Sequence, residues 1–440
     1  MNRLGQPDAT ADPLLNFLLK GSLASFTTRV IGVALSYVSA ILLSRMLGVG
    51  GYGIYSIALA WALVLVLPSR AGLDYAGLRF ATNYLEDRDF GRLRGFFRFS
   101  AFVILCVSLV AGAVVYLVTS MRLTSIAPAV APGAALFIFP IAALGLVGAL
   151  LRAARRIAAA QFYEQILRPA LLIGALGAAF AAGLRLSPAN AMMLTAVSAF
   201  AALGFGVAHV VRAIGELRGK GDYGPRRAWL ALSFPLLLTG VVQELLNQLD
   251  IIMLGYLQTP AAAGLYSASW RLASLITFGL SALSISSGPL VASAHSRGDV
   301  LELARVARIT ARFGFVASVA LAVPLLLAGS SVLALFGPDF RAAYPALAIL
   351  VAGGVINAFT GVVAYFMTLT GRQIQALWIF TGALAISFVL NLILIPRFSI
   401  IGAAIASIGA TLFWNVAMLV YVRRTMGIDA SALALGLRRG

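Results

Sequence analysis

Long apolar runs alternate with short polar breaks through nearly all of the chain. A transmembrane helix needs about 20 predominantly apolar residues, and the runs predict helices at 23–47, 52–77, 97–119, 129–151, 165–184, 188–211, 230–256, 261–293, 310–330, 343–370, 374–395 and 400–422. The runs are too long and continuous for the ten-residue alternation of a transmembrane barrel. The breaks alternate in kind. Short turn-rich ones (Gly48 to Gly51, Gly337-Pro338-Asp339, Pro396-Arg397) take turns with longer amphipathic ones such as the stretch from Asn83 to Arg94. The longest polar break holds Gly219, Gly221, Gly224 and Pro225 and reads as a linker between two six-helix bundles. The expected organisation is a terminal segment 1–22, an N-lobe 23–211, a linker 212–229, a C-lobe 230–423 and a tail 424–440.

An internal repeat supports this division. Leu47-Gly48 followed by Gly53, Tyr55 and Ser56 returns as Leu254-Gly255 followed by Gly264, Tyr266 and Ser267, with Trp61 and Trp270 further on. Each copy spans an even number of helices, so the repeats are parallel, related by an axis along the membrane normal, as in some secondary transporters. The predicted fold class is an all-α membrane protein of about 12 transmembrane helices in two lobes around a central cavity.

Composition agrees. The 440 residues are 61% hydrophobic and 11% charged, where soluble domains carry about 25% charged residues. The net charge of +18 is a topology signal. Most basic residues fall in alternate connections, among them Arg88, Arg92, Arg94, Arg155, Arg156, Arg226, Arg227, Arg305, Arg423 and Arg424. The opposite connections hold only Arg122, Arg185, Arg341 and Arg397. This bias predicts both termini in the cytoplasm, an affinity for anionic membrane lipids and no nucleic-acid partner. The first segment lacks the basic region and cleavage site of a signal peptide, so the first run should remain a helix. Cys106 stands alone, which excludes an intrachain disulfide. His209 and His295 lack neighbours at metal-ligand spacing, and no metal is expected.

Charges placed inside spans are costly and by default mark interior surfaces. Here they are Arg29, Arg45, Arg70 and Arg271 with Asp74, Glu244 and Asp250, on the first two helices of each half. Gln243, Asn247 and Asp250 recur at i, i+4, i+7 and share one helical face, with Glu244 and Gln248 beside it. Such a stripe must line a cavity or bond another helix. Arginine suits phosphate through its planar, permanently charged fork, which makes Arg29, Arg271 and Arg70 phosphate-binding candidates. Against this, Arg271 could pair with Asp250 across its hairpin, and Arg70 with Asp74 at i, i+4. Glu164 and Arg168 are expected to pair with each other, and Arg45 to snorkel.

No glycine-rich phosphate loop, nucleophile elbow or His-bearing metal motif is present, and no large loop that would house polymerisation chemistry. A membrane glycosyltransferase or ligase is therefore the remote alternative, and an enzyme is not expected. Arg29-Val30-Ile31-Gly32, Leu43-Ser44-Arg45-Met46-Leu47-Gly48 with Gly53-Ile54-Tyr55-Ser56, and Asp250-Ile251-Ile252-Met253-Leu254-Gly255 with Gly264-Leu265-Tyr266-Ser267-Ala268 and Arg271 resemble the polysaccharide-biosynthesis flippases. These belong to the multidrug/oligosaccharidyl-lipid/polysaccharide exporter superfamily. The resemblance implies two lobes in a V that open alternately to each side of a bacterial inner membrane. It also implies an undecaprenyl-diphosphate-linked oligosaccharide as substrate, and glycosyltransferases or a polysaccharide polymerase as pathway partners. In related murein-precursor flippases, arginines of helices one and eight face the cavity, and Arg29 and Arg271 match by position.

The expectation is thus a flippase in which Arg29, Arg271 and Arg70 hold phosphate and Gln243, Asn247 and Gln248 bond sugar hydroxyls. Asp250, Glu244 or Asp74 would couple transport to protons or sodium. No cofactor is expected, and the drive is an ion gradient, the membrane potential or the substrate gradient. The alternative is a cation-coupled multidrug-type antiporter of the same superfamily, with the carboxylates as its site.

Overall fold

The computed structural model describes residues 13–121, 126–215, 219–361, 363–428 and 432. The segment 1–12, Arg122, Arg218 and the tail arginines Arg438 and Arg439 lie outside the described residues. No strand occurs among the described residues. The helices are α1 (Pro13–Arg70), α2 (Leu73–Glu86), α3 (Phe90–Ser120), α4 (Ala131–Ala153), α5 (Ile157–Gln161), α6 (Arg168–Ala181), α7 (Pro188–Ile214), α8 (Arg226–Leu257), α9 (Pro260–Ser296), α10 (Val300–Leu333), α11 (Tyr344–Thr360), α12 (Val363–Leu369) and α13 (Gln373–Met426). A π-helical stretch, Phe162–Leu167, joins α5 to α6.

Nine of the described segments are long and apolar enough to cross a membrane. Two of these are double. Helix α1 runs for 58 residues with a break at Gly48 (φ 67°), and α13 for 54 with a break at Ser399 (φ 49°). Each break separates two helices, and with the 37-residue α9 the described residues supply twelve helices of spanning length. The sequence places turns at these sites. The structure makes each with one left-handed residue, a conformation glycine adopts without Cβ strain.

Two predicted helices are shorter than their apolar runs. The second, expected through residue 77, ends at Arg70. There Ala71 and Gly72 turn through positive φ into α2, so Asp74 stands on a different helix from Arg70. The tenth divides at Gly361 (φ 74°). Apolar periodicity continues across both turns, which is why the pattern alone joins them.

Between helices in lipid there is no hydrophobic drive, and small residues that allow close backbone approach take its place. Helix α4 shows this in the N-lobe, where 78% of its span is buried. A side chain at Gly133 would meet Met192 at 3.0 Å, and the adjoining contacts pair Gly206 of α7 with Val147 and Gly112 of α3 with Ala135.

The same device joins the lobes. At the arginine-poor end, α1 meets α9 through Gly53 and Gly264, the equivalent glycines of the repeat. A Cβ on Gly53 would lie 1.6 Å from the Pro260 oxygen and 3.1 Å from the Gly264 nitrogen, and a Cβ on Gly264 3.0 Å from the Gly53 nitrogen. The contact is reciprocal, as expected of two copies meeting on the axis that relates them. Nearby, Ser44 Oγ donates to the Phe336 carbonyl (2.9 Å) and Arg45 Nε to that of Leu335 (2.7 Å). At the arginine-rich end, Gly72 abuts Ser233 of α8, whose oxygen would be 2.3 Å from an added Cβ.

The linker is fastened to the N-lobe. Asp222 N–H donates to the Gly91 carbonyl (2.8 Å). Trp229, fully buried, lies edge-on to Phe96 and donates Nε1–H to Tyr84 Oη (2.9 Å). The Gly224 N–H and then Arg92 hold the Asp222 carboxyl below its usual pKa.

Ordinary van der Waals contact begins at 3.4 Å, so Gly53→Ala leaves no room for closure at the arginine-poor end. The expected result is a longer distance between spin labels at Asn190 and Asp339, exposed residues of the two lobes at that end. Gly50→Ala is the control, because its Cβ would meet nothing within 4 Å. An unchanged Gly53→Ala distance would show that this contact does not set the closure.

Candidate functional site

Between the two interlobe contacts lies a central cavity of about 480 Å³. One wall is α1 with Ser36, Tyr52, Tyr55 and Arg70. The π-helical stretch and α6 add Glu164 and Arg168, and the facing wall is α8 and α9 with Gln243, Glu244, Asn247, Gln248, Trp270 and Arg271.

The three arginines differ in their partners. Arg70 Nη1 lies 3.2 Å from Asp74 Oδ2 and its Nη2 lies 3.6 Å from Glu164 Oε1, while Nη2 also reaches the Ile141 carbonyl at 3.4 Å. It is thus held by two carboxylates against α4, which makes it a poor free clamp for phosphate. The expected Glu164–Arg168 pair gives way to this one, because the π-stretch turns the Glu164 carboxylate toward α1. Arg168 instead donates Nε–H to the Glu164 backbone carbonyl (3.4 Å). Arg271 donates from Nη1 to Ser36 Oγ (3.3 Å), and Tyr37 Oη donates to the Arg271 carbonyl. Among the described residues, neither Arg168 nor Arg271 forms an ion pair.

Arg29 is placed elsewhere. Its guanidinium lies 5.7 Å from the ring centroid of Phe278 on α9, a cation–π geometry. Phe278 is seven residues beyond Arg271, about 10 Å along the helix at 1.5 Å per residue. The two arginines therefore occupy successive levels of the α1–α9 seam, and only Arg271 lines the central cavity.

The polar stripe of α8 divides by depth. Gln243 and Asn247 are exposed to cavity space, and Gln248 Nε2 donates to Glu244 Oε1 (2.8 Å). Asp250, on the same face but closer to the arginine-poor end, is 2% exposed. There α9 and α13 converge on α8, and Tyr266 Oη donates to Asp250 Oδ2 (2.5 Å) while Asn391 Nδ2 donates to Oδ1 (2.7 Å). The alternative pairing of Asp250 with Arg271 is thereby overturned: the carboxylate is committed inside the C-lobe. Asp74, tied to Arg70, also lies off the central cavity lining.

A second cavity, of about 530 Å³, lies within the C-lobe and shares Gln243, Asn247 and Trp270 with the first. Its remaining lining includes Ser274, Thr277, Asn357, Tyr365, Ser387, Ser407, Thr411 and Trp414, with no charged residue. Asn415 braces this wall, donating Nδ2–H to Asn357 Oδ1 (3.1 Å) and accepting the Thr360 hydroxyl proton at Oδ1. The sequence reading named two residues of this chamber, Gln243 and Asn247, but missed the rest of its lining, and it placed Arg168 only as a partner for Glu164. The readable signal was the trio Asn357, Asn391 and Asn415 in the middle of apolar runs, where an amide needs a partner or a cavity.

Removing Arg70 should leave the buried Asp74 carboxylate, 9% exposed, without its ion pair, while Glu164, 39% exposed, is still reached by solvent; the expected loss is about 2 kcal/mol, below that of a fully buried pair. Arg70→Gln is therefore expected to lower the thermal unfolding midpoint of the purified protein. Adding Asp74→Asn and Glu164→Gln should restore most of the loss. Recovery absent from the triple variant would show that Arg70 stabilises through packing instead of charge.

Comparisons place this architecture among known proteins. Residues 18–295 match the profile of the polysaccharide biosynthesis protein family, and 235–396 that of the MatE family. A probable flippase, AglR of Haloferax volcanii, is 33% identical over 171 residues. That stretch covers 36% of this chain and 34% of AglR, so the match spans about a third of the relative's length. The lipid II flippase MurJ in an inward closed conformation superposes with a TM-score of 0.73 at 12% identity, covering 92% of this chain and 87% of that one. An inward-facing multidrug resistance MATE family transporter gives 0.72 at 14% identity, over 92% and 98%. At such identities the solved structures speak to the two-lobed, twelve-helix fold alone. The profile, by contrast, covers more than half of the sequence, and by that measure the chain belongs to the polysaccharide biosynthesis protein family.

Proposed function

We propose that this protein is a flippase carrying an undecaprenyl-diphosphate-linked oligosaccharide across a bacterial inner membrane by alternating access. The observation that carries the reading is the pair of joined chambers. The central one presents Arg271 and Arg168 without ion pairs, its acids being engaged (Glu164 by Arg70, Glu244 by Gln248), and the C-lobe one presents amides, hydroxyls and tryptophans with no charge. A substrate that is anionic at one end and polyhydroxylated at the other fits that division. Guanidinium groups bond phosphate bidentately, while neutral donors and acceptors beside aromatic faces suit sugars. Gln243, Asn247 and Trp270 stand at the junction, and Gln248 completes the polar wall. Arg271 is the principal phosphate ligand, with Arg168 beside it. Arg29 meets the headgroup at another level of the seam, as the lobes rock. The flippase-named relative supports the same class of activity.

The positive-inside bias puts the arginine-rich end and both termini in the cytoplasm, where glycosyltransferases would deliver the substrate and from which a polymerase would receive it on the far side. Asp250 is the coupling carboxylate we favour over Glu244 and Asp74. Both its oxygens accept hydrogen bonds, from the Tyr266 hydroxyl and the Asn391 Nδ2–H, and the buried Asn391 Oδ1 has no hydrogen-bond partner, so taking up a proton or a cation there would rearrange this network and with it the packing of α8 on α9 and α13.

In proteoliposomes, Arg271→Ala is expected to slow flipping of a fluorescent undecaprenyl-diphosphate oligosaccharide at least tenfold, consistent with about 1.5–3 kcal/mol for a hydrogen bond to a charged group. Wild-type rates at equal protein content would sink the phosphate role. Asp250→Asn should retain binding but lose the dependence of rate on an imposed proton or sodium gradient. The MatE match over the C-lobe favours one second reading, a cation-coupled drug antiporter. Gradient-driven efflux of a lipophilic cation, abolished by Asp250→Asn with no lipid flipping, would establish that reading instead.

A further inference from the structure

A third cavity, of about 710 Å³, lies outside the interlobe space, on the N-lobe flank at the arginine-rich end. Its polar part is Arg156, Tyr163, His209 and Arg212, and its apolar part includes Gly204 and Phe205 of α7. Arg156 Nη1 donates to His209 Nε2 (3.1 Å), since arginine has only donors. The neutral imidazole then carries its proton on Nδ1 and donates it to Tyr163 Oη (2.6 Å). That leaves the tyrosine hydroxyl proton free to point outward. Two guanidinium groups and a phenol thus offer donors into one space. Among the described residues no carboxylate lines it, and neither Arg156 nor Arg212 forms an ion pair there. Glu164, next to Tyr163 in sequence, is already engaged by Arg70. The π-helical stretch, an arrangement frequent at functional sites, carries Tyr163.

The rest of the cavity runs onto the lipid-facing side of α7, where Phe205 is 60% and Val197 56% exposed. An added Cβ at Gly204 meets nothing within 4 Å, so the helix surface there is an open groove. We infer that this is a binding site for an anionic phospholipid of the surrounding bilayer. Its phosphate is held by Arg156, Arg212 and the Tyr163 hydroxyl, and an acyl chain lies along Gly204 and Phe205. Basic pockets between helices at a membrane face take such headgroups, and the apolar continuation selects a lipid over a free phosphate ion. The site is separate from the transport cavities and independent of the proposed cargo.

The test is native mass spectrometry and thermal unfolding of the full-length protein in neutral detergent, titrated with phosphatidylglycerol, phosphatidylcholine or inorganic phosphate. The wild-type protein should retain and be stabilised by phosphatidylglycerol, with at least tenfold weaker binding of phosphatidylcholine and no stabilisation by inorganic phosphate. Arg156→Gln with Arg212→Gln should weaken phosphatidylglycerol binding at least tenfold. Gly204→Leu, which fills the groove without touching a charge, should do so as well. Should the arginine variant fail to fold, Gly204→Leu alone decides. Wild-type affinity in the folded variants would overturn the assignment, and equal stabilisation by inorganic phosphate would replace the lipid with a phosphate ion.

Discussion

The contact between Gly53 and Gly264 is backbone against backbone. The Pro260 carbonyl occupies space that any side chain on Gly53 would claim. Two repeats of one motif meet here on the axis that relates them, and nothing larger than glycine permits it. In hydrocarbon, where apolar burial offers no advantage over lipid, such close approach is among the few means of holding helices together. With the lobes touching here and again at Gly72 and Ser233, the helices between are left to enclose a cavity. The polar residues of α1, α8 and α9 that could not face lipid line it.

Within that frame the two halves have diverged. Tyr55 and Tyr266 are equivalent in the repeat, yet Tyr55 Oη meets Thr195 Oγ1 at 3.2 Å and Tyr266 Oη meets the Asp250 carboxylate. The N-lobe copy joins two neutral groups, and the C-lobe copy anchors a buried acid between three helices. Charge follows the same asymmetry. Arg70 is neutralised by two acids on the N-lobe side, whereas Arg271 on the C-lobe side has, among the described residues, hydroxyl partners and no ion pair. Adjacent to it the C-lobe opens into an uncharged chamber. A cargo with one anionic and one polyhydroxyl end, as proposed above, would match that separation, since charge in the second chamber would impose desolvation without a matching partner.

The apolar runs, the alternation of basic connections and the repeated Gly-x-Tyr-Ser motif determined the helical membrane class, the two halves and the leading helices on which the interior charges lie. These are properties of local sequence: hydropathy and length decide which segments cross a bilayer, and duplication leaves its mark in spacing. What side chains meet across the fold was decided only by the tertiary structure. Gln243, Asn247 and Asp250 share a helical face, yet two open onto cavities and the third is buried, because α9 and α13 converge at one depth and not at another. Arg70 and Asp74 pair as their spacing suggests, but across a turn that uninterrupted hydropathy concealed. Glu164 chose Arg70 over Arg168 because a π-helical stretch re-aimed it. Periodicity fixes the direction of a residue about its own helix axis; the depth at which neighbouring helices close upon it is set by the packing of the whole chain.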